Sequence, residues 1–450
     1  MINSLKRSFR EILHYPSAVA GLAIILLLFA VAIYVLITLP YGEAIRLWRG
    51  GEDVWYQNPK YVPPAWTNYF RREKRAESFS MDSSEMDEGV TRVDDEPKEG
   101  TQRSHLTYTF DFMSDEFPQE MMIYFTAVFD EKQPFASISW KTPDGREIRV
   151  ADFGVGASQN YRFSQDEKLK RRLGGVNPVI GLFADPNLEE PTVLKGTYQL
   201  LIDSIAFEEG SNLEAEFILH GSVFGLAGTD HQRRDLMIPL LWGVPVALAF
   251  GILAALLTSV LTMIIAAVGT WYGGWVDSLI QRITEVNLVL PFLPILIMVG
   301  TFYNRRIWTI LGVTILLSIF TTTLKSYRAI FLQVRQSTYI EAARAYGANN
   351  IRIVFTYLIP RMIPLLIPAL VSSVPAFVFL EASLALLGLG DPVLPTWGKI
   401  INDAYTNEAL DRGLYYWILE PAALLMITGL GFAMLGFSLD RIFNPRLREV

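Results

Sequence analysis

Two apolar tracts, one at Ser17–Leu39 and one that dominates everything after Ile238, frame a long polar stretch between them. Ser17–Leu39 is almost uncharged and long enough to cross a bilayer at about 1.5 Å per helical residue. Lys6, Arg7 and Arg10 precede it, and a basic flank stays inside. The run is too long for a cleaved leader and no small-residue cleavage site follows promptly, so it is read as an anchor.

Hydrophobic residues make up 51% of the 450-residue chain, which favours a membrane protein over two or three soluble domains. There is no cysteine, which excludes disulfides, thiolate zinc sites and cysteine nucleophiles together. The net charge of −7 conceals a block structure. Between Gly42 and Leu236 there are roughly 34 acidic against 22 basic residues, and the remainder is net basic.

From Gly42 to Phe70 the chain is rich in tryptophan, tyrosine and proline, as expected of a segment leaving a membrane interface and crossing a surface. Arg71–Arg103 is highly charged and reads as a flexible linker or exposed loop. Between His105 and Gly225 the period becomes two. Strands are expected at Thr107–Phe110, Met122–Phe129, Ala136–Trp140, Tyr198–Phe207 and Leu213–Phe224. Thr142-Pro143-Asp144-Gly145 is a turn signal and Asp166–Arg172 a short helix. An antiparallel β-sandwich on the outer side follows, acting as a cap or spacer or as a docking surface. Gly228–Asp235 places His231 among Asp230, Asp235, Arg233 and Arg234, which favours a hydrogen-bonded turn over a metal site.

Further spans are expected at Ile238–Val268, Asn287–Tyr303, Ile307–Leu324, Ile363–Leu389 and Tyr416–Leu439, six in all, with both termini inside. Trp271, Tyr272 and Trp275 read as an interfacial aromatic belt, and Asp277–Arg282 as amphipathic at the inner surface. Asn304-Arg305-Arg306 reads as a tight outer turn, and Asp391–Tyr415 as lying outside. Arg441, Pro445 and Arg446 close the chain inside.

Within this apolar half, Glu341–Pro360 stands out as polar and rich in small residues. Glu341–Tyr346 are helix formers, Gly347 suits a turn, and Asn350–Ile359 reads as a second helix ended by Pro360. Ala342, Ala343 and Ala345 give the first helix a shallow face on which another backbone fits. Lys325, Arg328, Arg335, Arg344, Arg352 and Arg361 face only Glu341, so charge alone puts the segment on the cytoplasmic side.

Glu341-Ala342-Ala343, with Gly347 and Pro360 in register, resembles the EAA loop of permease subunits of binding-protein-dependent ABC importers. Gly228-Thr229-Asp230 with Arg234-Asp235 is similar to the segment before the second span of the dipeptide, oligopeptide and nickel C permeases, Arg233 standing where that family usually has Gly. Glu381–Gly390 with Pro395-Thr396-Trp397-Gly398 is similar to a further run of that family, and Asn444 replaces a usual Asp near the end. The resemblance covers Gly228–Arg448 strongly and Ser17–Leu39 weakly, and leaves the β-region out.

The resemblance implies a mainly α membrane protein of the type I importer (MetI-like) permease fold, six spans, with an inserted all-β extracytoplasmic domain. The corresponding divisions are 1–41 (tail and first span), 42–104 (linker), 105–227 (β-domain) and 228–450 (permease core). It implies that Glu341, Ala342, Ala343, Arg344, Gly347, Arg352 and Pro360 form the coupling loop to ATPase subunits. Glu381, Ser383, Ser372, Ser373, Asn287 and Glu285 are candidates for the translocation pathway, because polar groups within a membrane are expensive. Asn287 and Glu285 begin the third span. Ser372 and Ser373 read equally as bonded to the preceding turn, and Glu285 as an interfacial partner of Arg282.

No nucleotide site is legible: before Gly398-Lys399, Val393 occupies the first P-loop position and Ile400 replaces Ser or Thr. No catalytic order of Ser, His and Asp stands out either, so the chain is expected to be non-enzymatic and to bind no metal or cofactor itself. ATP and Mg would be used by two ABC ATPase subunits. A second permease, an extracytoplasmic solute-binding protein and membrane lipid are the other expected partners, and nucleic acid is not. The function expected is half of an import pathway for peptides or similar small solutes in the cell (inner) membrane. The rival is a membrane-anchored sensor or scaffold whose β-domain binds a ligand.

Overall fold

The computed structural model describes residues 15–96, 101–188 and 190–443. Lys6, Arg7, Arg10, Asn444, Pro445 and Arg446 lie outside them. The chain divides into two compact units, a helical one of Met1–Arg49 with Ile238–Val450 and a β unit of Gly50–Met237.

In the helical unit α1 (Pro16–Thr38) carries Pro16 in its first turn, where the missing N–H costs nothing. It packs against the last helix through small residues. A Cβ on Gly21 would lie 2.7 Å from the Gly431 carbonyl oxygen, and one on Gly431 would lie 2.7 Å from Ile24. Such close approach is how helices adhere in lipid, where no hydrophobic force draws them together. The segment after α1 is not simply extended: α2 (Tyr41–Arg49) forms, with Glu43 in its first turn and Arg46 and Arg49 in its last, complementing the helix dipole.

The β unit is a sandwich of two antiparallel sheets. Its strands are β1 (Phe79–Asp82), β2 (Val90–Asp94), β3 (Gln102–Phe112), β4 (Glu120–Val128), β5 (Phe135–Lys141), β6 (Glu147–Gly154), β7 (Ser158–Arg162), β8 (Gly196–Ala206) and β9 (Asn212–His220). One sheet has the order β1-β9-β4-β7 and the other β2-β3-β8-β5-β6. Alternate residues of both sheets meet in a core built around Trp140, Tyr198, Phe110 and Phe217, with Phe110 and Phe217 ring centroids 5.6 Å apart. Helix α3 (Glu167–Arg172) is capped by Asp166, which accepts from the Lys168 and Leu169 amides, and α4 (Pro178–Gly181) follows. The turn Thr142–Gly145 joins β5 to β6, with Gly145 at φ +87°.

Two corrections concern this unit. Arg71–Arg103 is not a linker, because β1 and β2 lie within it, at the edges of the two sheets. Edge strands bury little, so their composition stays polar and the period-two signal is faint. Residues 228–237 also pack with the β unit: Thr229 Oγ1 donates to the Pro59 carbonyl at 2.8 Å, and the Tyr61 amide to that of Asp230 at 3.3 Å.

The remaining helices are α5 (Met237–Tyr272), α6 (Gly274–Val289), α7 (Phe292–Phe302), α8 (Ile307–Ile319), α9 (Thr322–Arg335), α10 (Thr338–Ala345), α11 (Asn350–Arg352), α12 (Ile359–Leu384), α13 (Trp397–Thr406) and α14 (Tyr416–Phe443). Four helical runs among the described residues are long and apolar enough to cross a membrane: α1, α5, Asn350–Leu389 and α14. The pairs α6 with α7 and α8 with α9 pass the same test only together, bent by 81° and 46°. The span expected at Asn287–Tyr303 is therefore not one helix. Asn287 belongs to the end of α6, and Pro291, which cannot donate to the preceding turn, marks the break.

Pro360 does not end a helix either. The run from Asn350 continues through a widened π-helical stretch, Ile353–Leu358, into α12, where Pro360 sits in the first turn. The wider turn leaves room for the ring. The loop Asp391–Tyr415 contains α13, whose Trp397 donates to the Leu240 carbonyl at 2.8 Å and lies close against Gly243.

Candidate functional site

The polar segment after α9 folds as two short helical pieces held by one face. The turn after α10 closes with bonds from the Gly347 amide to the Arg344 carbonyl and from Ala348 to Ala343, at 2.9 and 3.0 Å. Gly347 adopts φ +79°, the left-handed conformation that only a residue without Cβ takes freely. Asn349 then caps α11 by accepting from the Arg352 amide at 2.7 Å.

Ile340, Ile353, Val354 and Leu358 are buried, packed with Met263, Trp271, Leu324 and Phe331. The opposite face is open: Glu341, Ala342, Arg344 and Arg352 are exposed, and Tyr346 is 92% exposed. Tyr339, Ala342, Tyr346, Arg352 and Tyr357 border a hollow of about 400 Å³ on this face. Ala343, though only 8% exposed, borders the same hollow beside Ala342.

The hub of the buried face is Trp271, at the end of α5. Its indole Nε1 donates to Asn350 Oδ1 at 3.1 Å, and the guanidinium carbons of Arg335 and Arg344 lie 5.8 and 5.4 Å from its ring centre. Arg335 also donates to the Thr270 carbonyl at 2.8 Å, satisfying an orphan acceptor at the α5 C-terminus. Trp271, only 6% exposed, is thus no interfacial belt residue. At the end of an apolar run a buried tryptophan and an interfacial one look alike, and only the cationic cluster downstream hinted at its partners. Close by, Arg328 pairs bidentately with Asp277 of α6 at 2.5 and 2.7 Å.

The pathway candidates are spread along the helices rather than gathered. Asn287 donates to the carbonyls of Leu317 and Phe320, both at 2.8 Å, bracing the bend between α8 and α9. Glu285 is exposed, 3.5 Å from Arg282. Ser373 and Ser383 donate to the carbonyls of Leu370 and Phe379, each at 2.7 Å, and Ser372 faces Gly436 of α14. Glu381 is buried beside Thr396 and Asp391, two further buried polar residues of the following loop.

Residues 228–235 form a hydrogen-bonded turn: Asp230 accepts from the Gln232 and Arg234 amides and from Arg234 Nε at 2.5 Å. Arg233 takes φ +65°, the conformation suited to the Gly expected there.

Residues 259–449 match the family model described as "binding-protein-dependent transport system inner membrane component". All the matched residues lie within the helical unit. The chain is also similar to curated relatives. A dipeptide transport system permease protein of Bacillus subtilis is 29% identical over 223 residues, covering 49% of this chain and 69% of the relative. A glutathione transport system permease protein of Pectobacterium atrosepticum is 28% identical over 223 residues, covering 49% and 73%. An oligopeptide transport system permease protein of Bacillus subtilis is 27% identical over 225 residues, covering 49% and 72%. A solved complex with a galactotriose aligns with 36% of this chain at 10% identity and a TM-score of 0.15, too low to carry any argument. The chain is accordingly a transport component of a multi-subunit importer and not an enzyme.

Proposed function

We propose that this permease is one of two homologous pore-forming subunits of an ATP-driven importer of peptides or similarly small solutes. One of two ATPase subunits docks on the open face of α10 and α11, and a solute-binding protein delivers the solute from the other side. The carrying observation is the two-faced build of the segment. Its inner face is fixed to the end of α5 through Trp271, and its outer face exposes Tyr346, Ile351 and Phe355 and carries the hollow bordered by Ala342, Ala343 and Tyr346. Exposed apolar patches of this kind mark interaction sites.

In this reading the bent pairs each count as one span, giving six, with both termini cytoplasmic and the β unit extracytoplasmic. ATP-driven closure of the ATPases pulls on Glu341–Pro360, and Trp271 carries the displacement into α5. Glu341, Ala342, Ala343, Arg344, Gly347, Arg352 and Pro360 form the coupling segment. Glu381, Ser383, Ser372, Ser373, Asn287 and Glu285 support or line the route. ATP and Mg belong to the ATPase subunits.

Because the chain has no native cysteine, a single Tyr346→Cys substitution gives an unambiguous probe. The full complex should yield an ATPase–permease crosslink from this position and none from a cysteine on the β unit. A crosslink pattern without the ATPase, in a complex that still imports, would refute the docking assignment.

A further inference from the structure

The outward face of the β1-β9-β4-β7 sheet carries a cleft that the transport reading leaves unused. Register sets Asp82 opposite Glu216, Glu216 opposite Tyr124, and Tyr124 opposite Asn160, so four polar side chains cross the sheet in one row. Arg162 follows Asn160 by two positions on β7 and so shares its face, as Glu214 does on β9. Tyr56 and Arg233 close the cleft, a cavity of about 510 Å³.

The charges on the sheet itself are sorted, and Glu52 and Asp53 of the preceding segment also line the cleft. Asp82, Glu214 and Glu216 stand together on β1 and β9. The Glu216 carboxylate, 8% exposed, accepts from Tyr56 Oη at 2.7 Å and Gln57 Nε2 at 2.5 Å, which fixes its position. Arg162 and Arg233 stand at the other side. Arg162 has no ion-pair partner among the described residues; the nearby Glu52 is taken up by Lys60 at 2.5 Å and Arg233 at 3.7 Å. Tyr56 and Tyr124, with ring centroids 4.5 Å apart, lie between the two ends. Arg233 is held in its left-handed conformation by donating to the Asn58 carbonyl at 2.6 Å, a strain of the kind that gathers at binding sites.

Two strand spacings and a two-residue offset put the backbones bearing Glu216 and Arg162 about 12 Å apart. Side chains standing up from the sheet keep roughly that separation, which suits a chain of two or three residues at about 3.5 Å each. Among the described residues no three His, Cys, Asp or Glu groups are arranged to hold a metal ion, which favours an organic ammonium as the cation.

We propose that this cleft binds a short zwitterionic peptide. Its free ammonium sits at Glu216 with Asp82 and Glu214, its carboxylate at Arg162 and Arg233, and its backbone runs along the two tyrosines. The choice of a peptide over other zwitterions rests on the transport reading above.

The test is equilibrium dialysis of the full-length chain in nanodiscs against radiolabelled trialanine, N-acetyltrialanine and trialanine amide. Trialanine should bind saturably, and each blocked form about tenfold more weakly or worse, since each loses a charge-assisted contact. Glu216→Gln should erase the discrimination against the acetylated form, and Arg162→Gln that against the amide. Absence of saturable trialanine binding, or equal binding of all three forms, overturns the proposal without needing any variant to fold. Co-purification of ATPase subunits with the same preparation is scored separately. Its success beside failed binding removes only the cleft, and its failure removes the transport reading.

Discussion

The indole of Trp271 donates to the side chain of Asn350 across 3.1 Å, tying the end of a 36-residue helix to the first residue of α11. Two arginines from α9 and α10 complete the contact, 5.8 and 5.4 Å from the ring centre. Trp271→Phe keeps the apolar bulk but loses the hydrogen bond, worth about 1 kcal/mol, and weakens the cation–π contacts by a similar amount. The assembled complex should retain basal ATPase activity and lose most of its solute-stimulated increment. An unchanged ratio of stimulated to basal activity would show that Trp271 does not transmit.

Asp277 and Arg328 form a bidentate, partly shielded pair between α6 and α9. Asp277→Asn leaves the guanidinium without its anion and should lower stability by about 1 kcal/mol, part of the pair's attraction being screened by solvent. Thermal melts of the purified complex measure this. The double exchange Asp277→Arg with Arg328→Asp should recover part of the loss, and an Asp277→Asn melt identical to wild type would demote the pair to a surface ornament.

Arg233 at φ +65° sets up a test of ordering. Arg233→Ala keeps the unfavourable conformation and loses the contacts to Asn58 and Glu52, whereas Arg233→Gly loses the contacts but relieves about 1 kcal/mol of strain. Glycine should therefore be the more stable of the two by about 1 kcal/mol, read from denaturant midpoints. The reverse order would mean that the turn relaxes to a different backbone when the side chain is cut.

His220 sits buried in β9, its Nε2 2.9 Å from the Tyr56 carbonyl. Burial, reinforced by the Arg233 charge, pushes its pKa from 6.5 down to about 4. The unfolded chain thus takes up a proton that the folded one refuses. Stability is fully present above pH 6.5 and falls as pH drops toward 4, by on the order of 3 kcal/mol over the window. Glu216, raised by burial, and His105, raised by its bond to Asp203, both act in the opposite sense, favouring the folded state at lower pH. The informative quantity is consequently the difference between wild type and His220→Gln in amide exchange of β9. Wild type should lose protection relative to His220→Gln by a margin that grows as pH falls from 7 to 4. A pH-independent difference would mean that His220 titrates normally.

Hydropathy made the long helices α1, α5, α12 and α14 legible, because a continuous apolar run of that length has few other solutions. It could not reveal direction. The apolar residues on both sides of Pro291 read as one span, yet the axis turns by 81° there, and Asn287, which reads as an intramembrane polar group, braces a neighbouring bend. The β-sandwich was legible where strands have one buried face, as in β3, β4 and β8. The edge strands β1 and β2 hid in a charged stretch because little of them is buried. In the coupling segment the glycine turn was plain from Gly347, while the partner that anchors it, Trp271, lies 76 positions earlier and left no local signal.

The chain enters and leaves the β unit along adjacent paths: the Tyr61 amide meets the Asp230 carbonyl at 3.3 Å, Thr229 meets Val62 at 2.9 Å and Ala65 meets Gly225 at 2.9 Å. Once this unit has folded, the connection between α1 and α5 shrinks from roughly 200 residues to roughly 30, which lowers the entropic cost of closing that loop by about 2 kcal/mol. The contact between Trp242 and the Leu39 carbonyl, which closes α1 against α5, is therefore easier to form after the sandwich than before it. Folding of the polar insert thereby lowers the cost of bringing the first two apolar helices together.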